Sequence, residues 1–211
     1  MTDIIKLIAA AVCGYLIGSL NTGVLVGKLY GTDIREHGSK GAGLTNTLRV
    51  LGKTAAALVL LGDVLKGVVT CLMGYALGVH INGSPDCISV LAAGAAAVAG
   101  HNWPIYFGFR GGKGALTALA VLFMADWMMA LCCLVLFLTL VALTRFVSLG
   151  SISAAVLFAV LSFVPFFGHG LYFGIFACLV AGMVLFRHRS NIKRLLTGTE
   201  SKLSFKKPAK R

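Results

Sequence analysis

The chain has 211 residues, of which 58% are hydrophobic and 12% are charged, and its formal net charge at pH 7 is +12. Soluble domains carry about 25% charged residues, so this composition excludes a water-soluble globule, a disordered chain and a collagen-like repeat. It predicts a polytopic membrane protein of one domain. No segment alternates apolar and polar residues, and backbone groups in lipid must be satisfied within each segment, so the spans are predicted to be helices.

The excess positive charge lies in the loops between apolar segments and in the C-terminal tail. The positive-inside bias of membrane proteins explains this distribution, so no nucleic-acid partner is predicted. The six cysteines form no CxxC pair and lie mostly in apolar segments. Neither a metal site nor a disulfide framework is therefore predicted.

Six apolar segments define the predicted helices, and they cover residues 4–30, 54–79, 87–101, 115–143, 151–167 and 171–186. A membrane helix needs about 20 residues. The fourth segment is longer than one span and carries Asp126 at its middle, where a carboxylate costs about 2.5–3.5 kcal/mol. We therefore divide it at Asp126–Trp127.

The division yields an all-α bundle of seven transmembrane helices, with the N-terminus outside and the C-terminus in the cytoplasm. It places the basic loops 31–53, 108–114 and 144–150 on the same side as the tail from residue 187. Residues 1–200 are predicted to form one membrane-embedded domain, and residues 201–211 a basic, disordered cytoplasmic tail near anionic lipid. His80 and His169 fall at the opposite face and are interpreted as structural.

The first cytoplasmic loop reads GSKGAGLTNTLR from residue 38 to residue 49. Its glycines permit turns whose successive N–H groups bind anions. Ser39, Thr45 and Asn46 add neutral donors, and Arg49 adds a planar guanidinium suited to phosphate. The alternative is a flexible loop before a helix capped by Thr45 or Asn46.

The second loop reads GHNWPIYFGFRGGKGALT from residue 100 to residue 117. Gly111, Gly112, Lys113 and Gly114 open a helix, a pattern that binds phosphate through bare amides, a positive helix end and one cation. It is not a Walker A loop, which requires Ser or Thr after the lysine, so ATP hydrolysis is not indicated. The alternative is a bent helix start with a snorkelling lysine.

Two further polar segments lie on this side. Ser148 either caps a helix or contacts substrate. His188 and Asn191 share one helix face, where they can offer an acceptor and a donor to one group or serve as a surface anchor. Asp63 and Lys66 lie within a predicted span, where they form an intrahelical ion pair or help to shape the polar site.

These motifs together resemble one family. GSLNTG, SKGAGLTNTLR, DVLKG, GHNWP, RGGKG, TRFVSLGS and HRSNIKRLLTGTE follow in order between about residues 18 and 200, as in the bacterial acyl-phosphate:glycerol-3-phosphate acyltransferases, the PlsY family. The resemblance implies a seven-helix enzyme of the bacterial cytoplasmic (inner) membrane with its active site facing the cytoplasm. It implies acyl transfer from acyl phosphate to the sn-1 hydroxyl of glycerol 3-phosphate, giving lysophosphatidic acid and phosphate in phospholipid biosynthesis.

The resemblance and the motifs together predict the site residues. Those predicted to bind substrate are Ser39, Thr45, Asn46, Arg49, Gly111, Gly112, Gly114, Thr117 and Glu200; those predicted to act in catalysis are Lys113, His101, Ser148, His188 and Asn191. The chain departs from the family pattern Ser-Gly-Asn-x-Gly-x-Thr-Asn, since Lys40 and Gly41 stand where the family has Gly and Asn. No cofactor, metal or obligatory protein partner is expected, and membrane lipid is the expected surrounding.

No GxSxG elbow, His-x4-Asp pattern or loop cysteine beside a histidine occurs, so direct attack on the activated donor is predicted instead of an acyl-enzyme. We expect Lys113 and the loop amides to hold acyl phosphate, and Asn191 or Ser148 to donate to the developing oxyanion. Arg49, Ser39 and His188 would hold glycerol 3-phosphate.

The hydroxyl proton can pass to His101, to His188 or to substrate phosphate, and the sequence does not choose among them. A transporter for small phosphorylated anions would use the same basic loops, but the internal repeat common in transporters is absent. A lipid-binding scaffold without chemistry is the other alternative.

Overall fold

A computed structural model of the chain describes residues 2–81 and 83–203, and these residues contain helices and no β-strand. The all-α prediction is therefore confirmed. In chain order the helices are α1 (Asp3–Gly18), α2 (Thr22–Leu29), α3 (Leu44–Leu51), α4 (Lys53–Leu77), α5 (Ile88–Asn102), α6 (Ala115–Ala125), α7 (Trp127–Thr144), α8 (Val147–Leu161), α9 (Leu171–Arg187) and α10 (Arg189–Leu196). Most of the predicted C-terminal tail, from residue 204 onward, lies outside the described residues.

Three segments are long and apolar enough to cross a membrane by themselves: Asp3–Leu29, Lys53–Leu77 and Trp127–Thr144. Helices α9 and α10, bent by 60° between them, make a fourth if they are counted as one span. Large apolar side chains such as Leu61 and Leu65 are more than 60% exposed, as expected of surfaces that face lipid. The count of seven spans stays a prediction, because α5, α6 and α8 are shorter than the usual 17–25 residues.

The N-terminal apolar segment is not the single helix predicted for residues 4–30. It breaks between Gly18 and Thr22, where the Asn21 side chain accepts a hydrogen bond from the Val24 N–H at 3.1 Å and caps α2. Asn21 is fully buried and also donates to the carbonyl oxygen of His101 at 3.5 Å. The break therefore brings α2 to the helix that leads into the second loop.

The predicted division at Asp126–Trp127 is confirmed. Asp126 lies between α6 and α7, and its carboxylate accepts a hydrogen bond from the Met129 N–H at 2.7 Å. Its other oxygen contacts Nε2 of His169 at 2.8 Å, while Nδ1 of that ring contacts Asp86 at 2.7 Å. His169 thus ties three segments together, which confirms its structural interpretation.

Helices α1 and α5 pack closely because small residues face each other. A methyl group on Gly14 would collide with the backbone of Ala93, and one on Gly18 with the backbone of Ala97. Small facing residues let helix backbones approach in this way. This contact fixes the C-terminal end of α5, which carries His101, against the rest of the bundle.

Candidate active site

One cavity of about 970 Å³ joins the polar loops to the apolar interior of the bundle. Its polar end is formed by the loop before α3, the loop before α6, the start of α8 and the segment that follows α9. Its apolar limb runs between α6, α7, α8 and α9, past side chains such as Leu119, Phe137 and Phe158. The cavity therefore suits a molecule with an anionic head and a hydrocarbon chain.

The first loop is folded around Asn46. The buried amide of Asn46 donates to the carbonyl oxygens of Ile34 at 2.9 Å and His37 at 3.0 Å, and its oxygen accepts from the Ser39 N–H at 2.8 Å. Asn46 thus shapes the loop that presents Ser39 to the cavity. The predicted helix cap at Thr45 or Asn46 is wrong, since α3 begins at Leu44 without a side-chain cap.

Lys40, which stands where the family pattern has glycine, adopts a left-handed backbone conformation with φ of 57°. Such a conformation costs a residue with a Cβ atom about 1–2 kcal/mol relative to glycine. The loop thus keeps the shape that glycine favours, although this chain places a lysine there.

Arg187 stabilises the second loop by donating hydrogen bonds to two of its backbone carbonyl groups. Its Nε donates to the carbonyl oxygen of Gly112 at 2.9 Å, and a terminal nitrogen donates to that of Gly111 at 3.0 Å. The Gly112 N–H donates to the carbonyl oxygen of His101 at 3.0 Å, whereas no backbone carbonyl in the described residues accepts from the N–H groups of Lys113 and Gly114. Those two amides, next to the start of α6, remain available to an anion.

Lys113 belongs to this loop and lines the polar end of the cavity. Burial lowers the pKa of Lys113 to about 8. Glu200 raises this pKa, whereas the guanidinium groups of Arg194, Arg49 and Arg187 lower it. Four cations thus act on one another here, and they would be stabilised by a bound anion.

Glu200 closes the polar end on the side of α10. It accepts hydrogen bonds from the Ser148 hydroxyl at 2.6 Å, from the Asn191 amide at 2.7 Å and from Arg194 Nε at 2.7 Å. Burial alone would raise the pKa of Glu200, but these three donors together lower it. The buried Oδ1 of Asn191 has no hydrogen-bond partner in the described part of the chain, so it is available to a substrate hydroxyl.

The two histidines at the cavity have different partners. Nδ1 of His188 lies 2.8 Å from the carbonyl oxygen of Val184. A carbonyl only accepts, so His188 carries its proton on Nδ1 and leaves Nε2 as an acceptor. Nδ1 of His101 instead lies 2.7 Å from the ammonium of Lys66.

The sequence is similar to that of a known enzyme family over most of its length. The model of the family described as "Glycerol-3-phosphate acyltransferase" matches residues 8–198. The chain belongs to this family. The glycerol-3-phosphate acyltransferase of Shouchella clausii is 46% identical over 206 residues, 96% of this chain and 98% of that protein, and that of a Thermoanaerobacter species is 43% identical over 201 residues, 94% and 96% of the two chains.

Solved structures of the PlsY family share the fold. The crystal structure of PlsY (YgiH), an integral membrane glycerol 3-phosphate acyltransferase, matches in its glycerol 3-phosphate form with a TM-score of 0.85 and 35% identity, over 94% of this chain and 96% of that chain. The lysophosphatidic acid form matches with a TM-score of 0.82 over the same shares. The resemblance to the PlsY family is therefore confirmed, and with it the nature of the chain as a bacterial integral membrane protein.

Within this family fold, all the predicted site residues except Gly111 and Thr117 line the cavity. Gly111 contributes its carbonyl to Arg187, and Thr117 is fully buried with a hydroxyl that has no partner in the described region. Ser148 lies in the first turn of α8, which begins before the predicted start at residue 151. Its predicted alternative as a helix cap is wrong, because Phe146 holds that position.

Three arginines that support the site were not predicted. Arg187 and Arg194 act as described above, and Arg35 donates to the carbonyl oxygens of Phe107 at 2.9 Å and Arg110 at 3.1 Å. Arg35 thereby ties the first loop to the second. Only Arg194 gave a signal in the sequence, because it is three residues from Asn191 and shares its helix face.

Proposed function

We propose that the chain transfers a fatty acyl group from acyl phosphate to the sn-1 hydroxyl of glycerol 3-phosphate, forming lysophosphatidic acid and phosphate. The observation that carries this proposal is a cavity in which a cationic polar end continues into an apolar limb. An acyl chain fits the limb, and two phosphate groups fit the cations and free amides at the polar end.

Lys113 and the N–H groups of Lys113 and Gly114 would hold the acyl phosphate. They would also stabilise negative charge on the carbonyl oxygen, where fixed donors lower the barrier. Ser148 and Asn191, the oxyanion donors expected from the sequence, donate to Glu200 in this structure. The oxyanion role therefore falls better to the second loop than to these two side chains.

Arg49, Ser39 and Thr45 would hold the phosphate of glycerol 3-phosphate at the first loop. Nε2 of His188 and Oδ1 of Asn191 are acceptors that can orient the attacking hydroxyl. The hydroxyl oxygen attacks the acyl carbonyl carbon, and the bond between that carbon and the phosphate oxygen breaks with its electron pair on phosphate. The proton of the hydroxyl passes to the departing phosphate, so no covalent acyl-enzyme forms.

The membrane topology expected from the sequence is part of this proposal. Seven spans, an outside N-terminus and a cytoplasmic C-terminus would place both loops at the cytoplasmic face of the bacterial inner membrane. Residues 1–200 would then form one acyltransferase domain, and residues 201–211 a basic tail. Cysteine labelling at the exposed positions Arg110 and Arg189 in intact and permeabilised cells tests this, because opposite sidedness would contradict the topology.

The experiment for the activity uses the purified protein, labelled glycerol 3-phosphate and either acyl phosphate or acyl-CoA. Lysophosphatidic acid acylated at sn-1 should form from acyl phosphate and not from acyl-CoA. Lys113→Ala should reduce the rate by at least about 100-fold, whereas Lys53→Ala, at an exposed lysine outside the cavity, should not. Uptake of glycerol 3-phosphate by proteoliposomes without product would favour a transporter, and lipid binding without either would favour a scaffold.

A further inference from the structure

A buried ion pair that the proposed reaction does not use lies beside the cavity. Asp63 and Lys66 on α4 are exposed by only 1% and 6%. Lys66 Nζ lies 2.8 Å from Asp63 Oδ1, so the sequence-based alternative of an intrahelical pair is confirmed. Charged groups inside an apolar bundle are costly, and they frequently serve function.

The ammonium of Lys66 reaches two more acceptors. Nδ1 of His101 lies 2.7 Å from Nζ, and the carbonyl oxygen of Leu20 lies 3.4 Å from it. An ammonium offers three donors and no acceptor, and three neighbours surround it here. Because an amine is a much stronger base than an imidazole, the proton between Lys66 and His101 stays on Lys66. Nδ1 of His101 is therefore an acceptor, and the proton of the neutral ring is on Nε2.

This arrangement reverses the usual effect of a carboxylate on a histidine. In hydrolase triads an aspartate accepts from Nδ1–H, which leaves Nε2 as the base. Here Asp63 Oδ1 is 3.5 Å from Nδ1 of His101, and the Lys66 ammonium is closer. Lys66 thus prevents Asp63 from making His101 a base.

Nε2 of His101 faces the second loop. A methyl group on Gly112 would collide with Nε2, and the ring lines the cavity. The carbonyl oxygen of His101 also accepts from the Gly112 N–H. An N–H group on Nε2 therefore lies against Gly112, the residue that precedes the Lys113 and Gly114 amides proposed to hold phosphate.

We infer that Lys66 is a positioning residue, which holds His101 in the tautomer protonated on Nε2 so that His101 donates a hydrogen bond to the phosphate at the second loop. The inference rests on the proposed function for the identity of that phosphate. It assigns His101 and His188 opposite roles, since His188 presents an acceptor and His101 a donor. His101 does not take the proton of the attacking hydroxyl.

The tautomer is tested directly by nitrogen NMR of the full-length protein labelled with ¹⁵N-histidine, with the His101 signals identified by their loss in His101→Gln. We expect a protonated Nε2 and an unprotonated Nδ1. A proton on Nδ1, alone or together with one on Nε2, would overturn the inference. The NMR result does not depend on the acyl donor. A wrong tautomer assignment can therefore be distinguished from a wrong proposed function.

Lys66 is tested in the same spectra. Lys66→Met alone leaves the Asp63 carboxylate buried without a partner, so the double variant Asp63→Asn, Lys66→Met is preferred. The double variant should lose the single Nε2-protonated form, whereas Lys66→Arg, which keeps the donors, should retain it. An unchanged tautomer in the double variant would overturn the role of Lys66.

Kinetics separate a donor from a base at His101. Gln places its amide nitrogen near the position of Nε2, whereas Asn places it near Nδ1. With acyl phosphate as donor, His101→Gln should keep at least about tenfold more kcat/KM than His101→Asn, chiefly through a lower KM for acyl phosphate. Equal losses in both variants, or no loss in either, would overturn the inference.

Discussion

Glu200 offers a perturbation whose magnitude follows from the structure. In Glu200→Gln the remaining oxygen can still accept from Ser148 and Asn191, but the new amide group meets Arg194 Nε donor to donor. Loss of a hydrogen bond between charged groups costs about 1.5–3 kcal/mol. The Arg194 side chain is 36% exposed, and solvent screening therefore reduces the contribution of this hydrogen bond. We expect Glu200→Gln to lower the free energy of unfolding by about 1–2 kcal/mol.

Thermal unfolding in detergent, followed by circular dichroism, measures this loss. For a chain of this length 1 kcal/mol corresponds to about 2–4 °C, so the Tm should fall by about 2–8 °C at pH 7. Glu36→Gln, at an exposed residue outside the cavity, is the matched control and should leave the Tm unchanged.

The sign of the pH dependence supplies a second check. The pKa of Glu200 is lower in the folded protein than its ordinary value of 4.5. Its stabilising contribution is therefore complete above pH 4.5 and disappears as the pH falls through the folded-state pKa. The wild type and Glu200→Gln should converge in Tm only below pH 4.5. An equal Tm at pH 7 would refute the argument.

Three further changes have defined outcomes. Arg187→Ala removes the donors to the Gly111 and Gly112 carbonyls and should raise the KM for acyl phosphate about tenfold or more. The control Arg189→Ala should leave this KM unchanged. Equal KM values in the two variants would contradict the role of Arg187. Lys40→Gly should raise the free energy of unfolding by about 1 kcal/mol because φ is positive there, and Lys40→Ala, which keeps a Cβ atom, should give no such gain in denaturation experiments. Acyl transfer should decline as the pH rises through about 8, where Lys113 loses its charge, and Lys113→Arg should move that decline to higher pH in rate measurements.

Charge and glycine patterns in the sequence were sufficient to predict much of the fold. The division at Asp126 was predictable because a carboxylate is costly at the bilayer centre, and the structure shows it capping α7. The break at Asn21 was missed although the sequence carried a signal for it, because Ser19, Asn21 and Thr22 interrupt the apolar segment and asparagine is a favoured N-cap residue. The buried contact of Asn21 with His101 is long-range and has no such signal. A local pattern does not reveal such contacts.

Some roles of the site residues could likewise be predicted from local motifs, and others could not. The motifs located Lys113, Arg49 and His188, because donors, cations and glycines near helix ends favour anion binding. They did not show that Asn46 folds its own loop, or that Arg187 fixes the second loop through backbone carbonyls. Those roles depend on the direction of backbone groups in the folded protein, and residue type alone does not determine that direction.

The proposed function requires one cavity to hold the acyl phosphate head at its cationic end and the acyl chain in its apolar limb. The most direct measurement is a structure of the protein with a non-hydrolysable acyl phosphonate. We expect the phosphonate within hydrogen-bond distance of Lys113 and the Gly114 N–H, with the acyl chain running between α6, α7 and α8 past Phe137. A phosphonate bound away from Lys113, or a chain outside that limb, would contradict it.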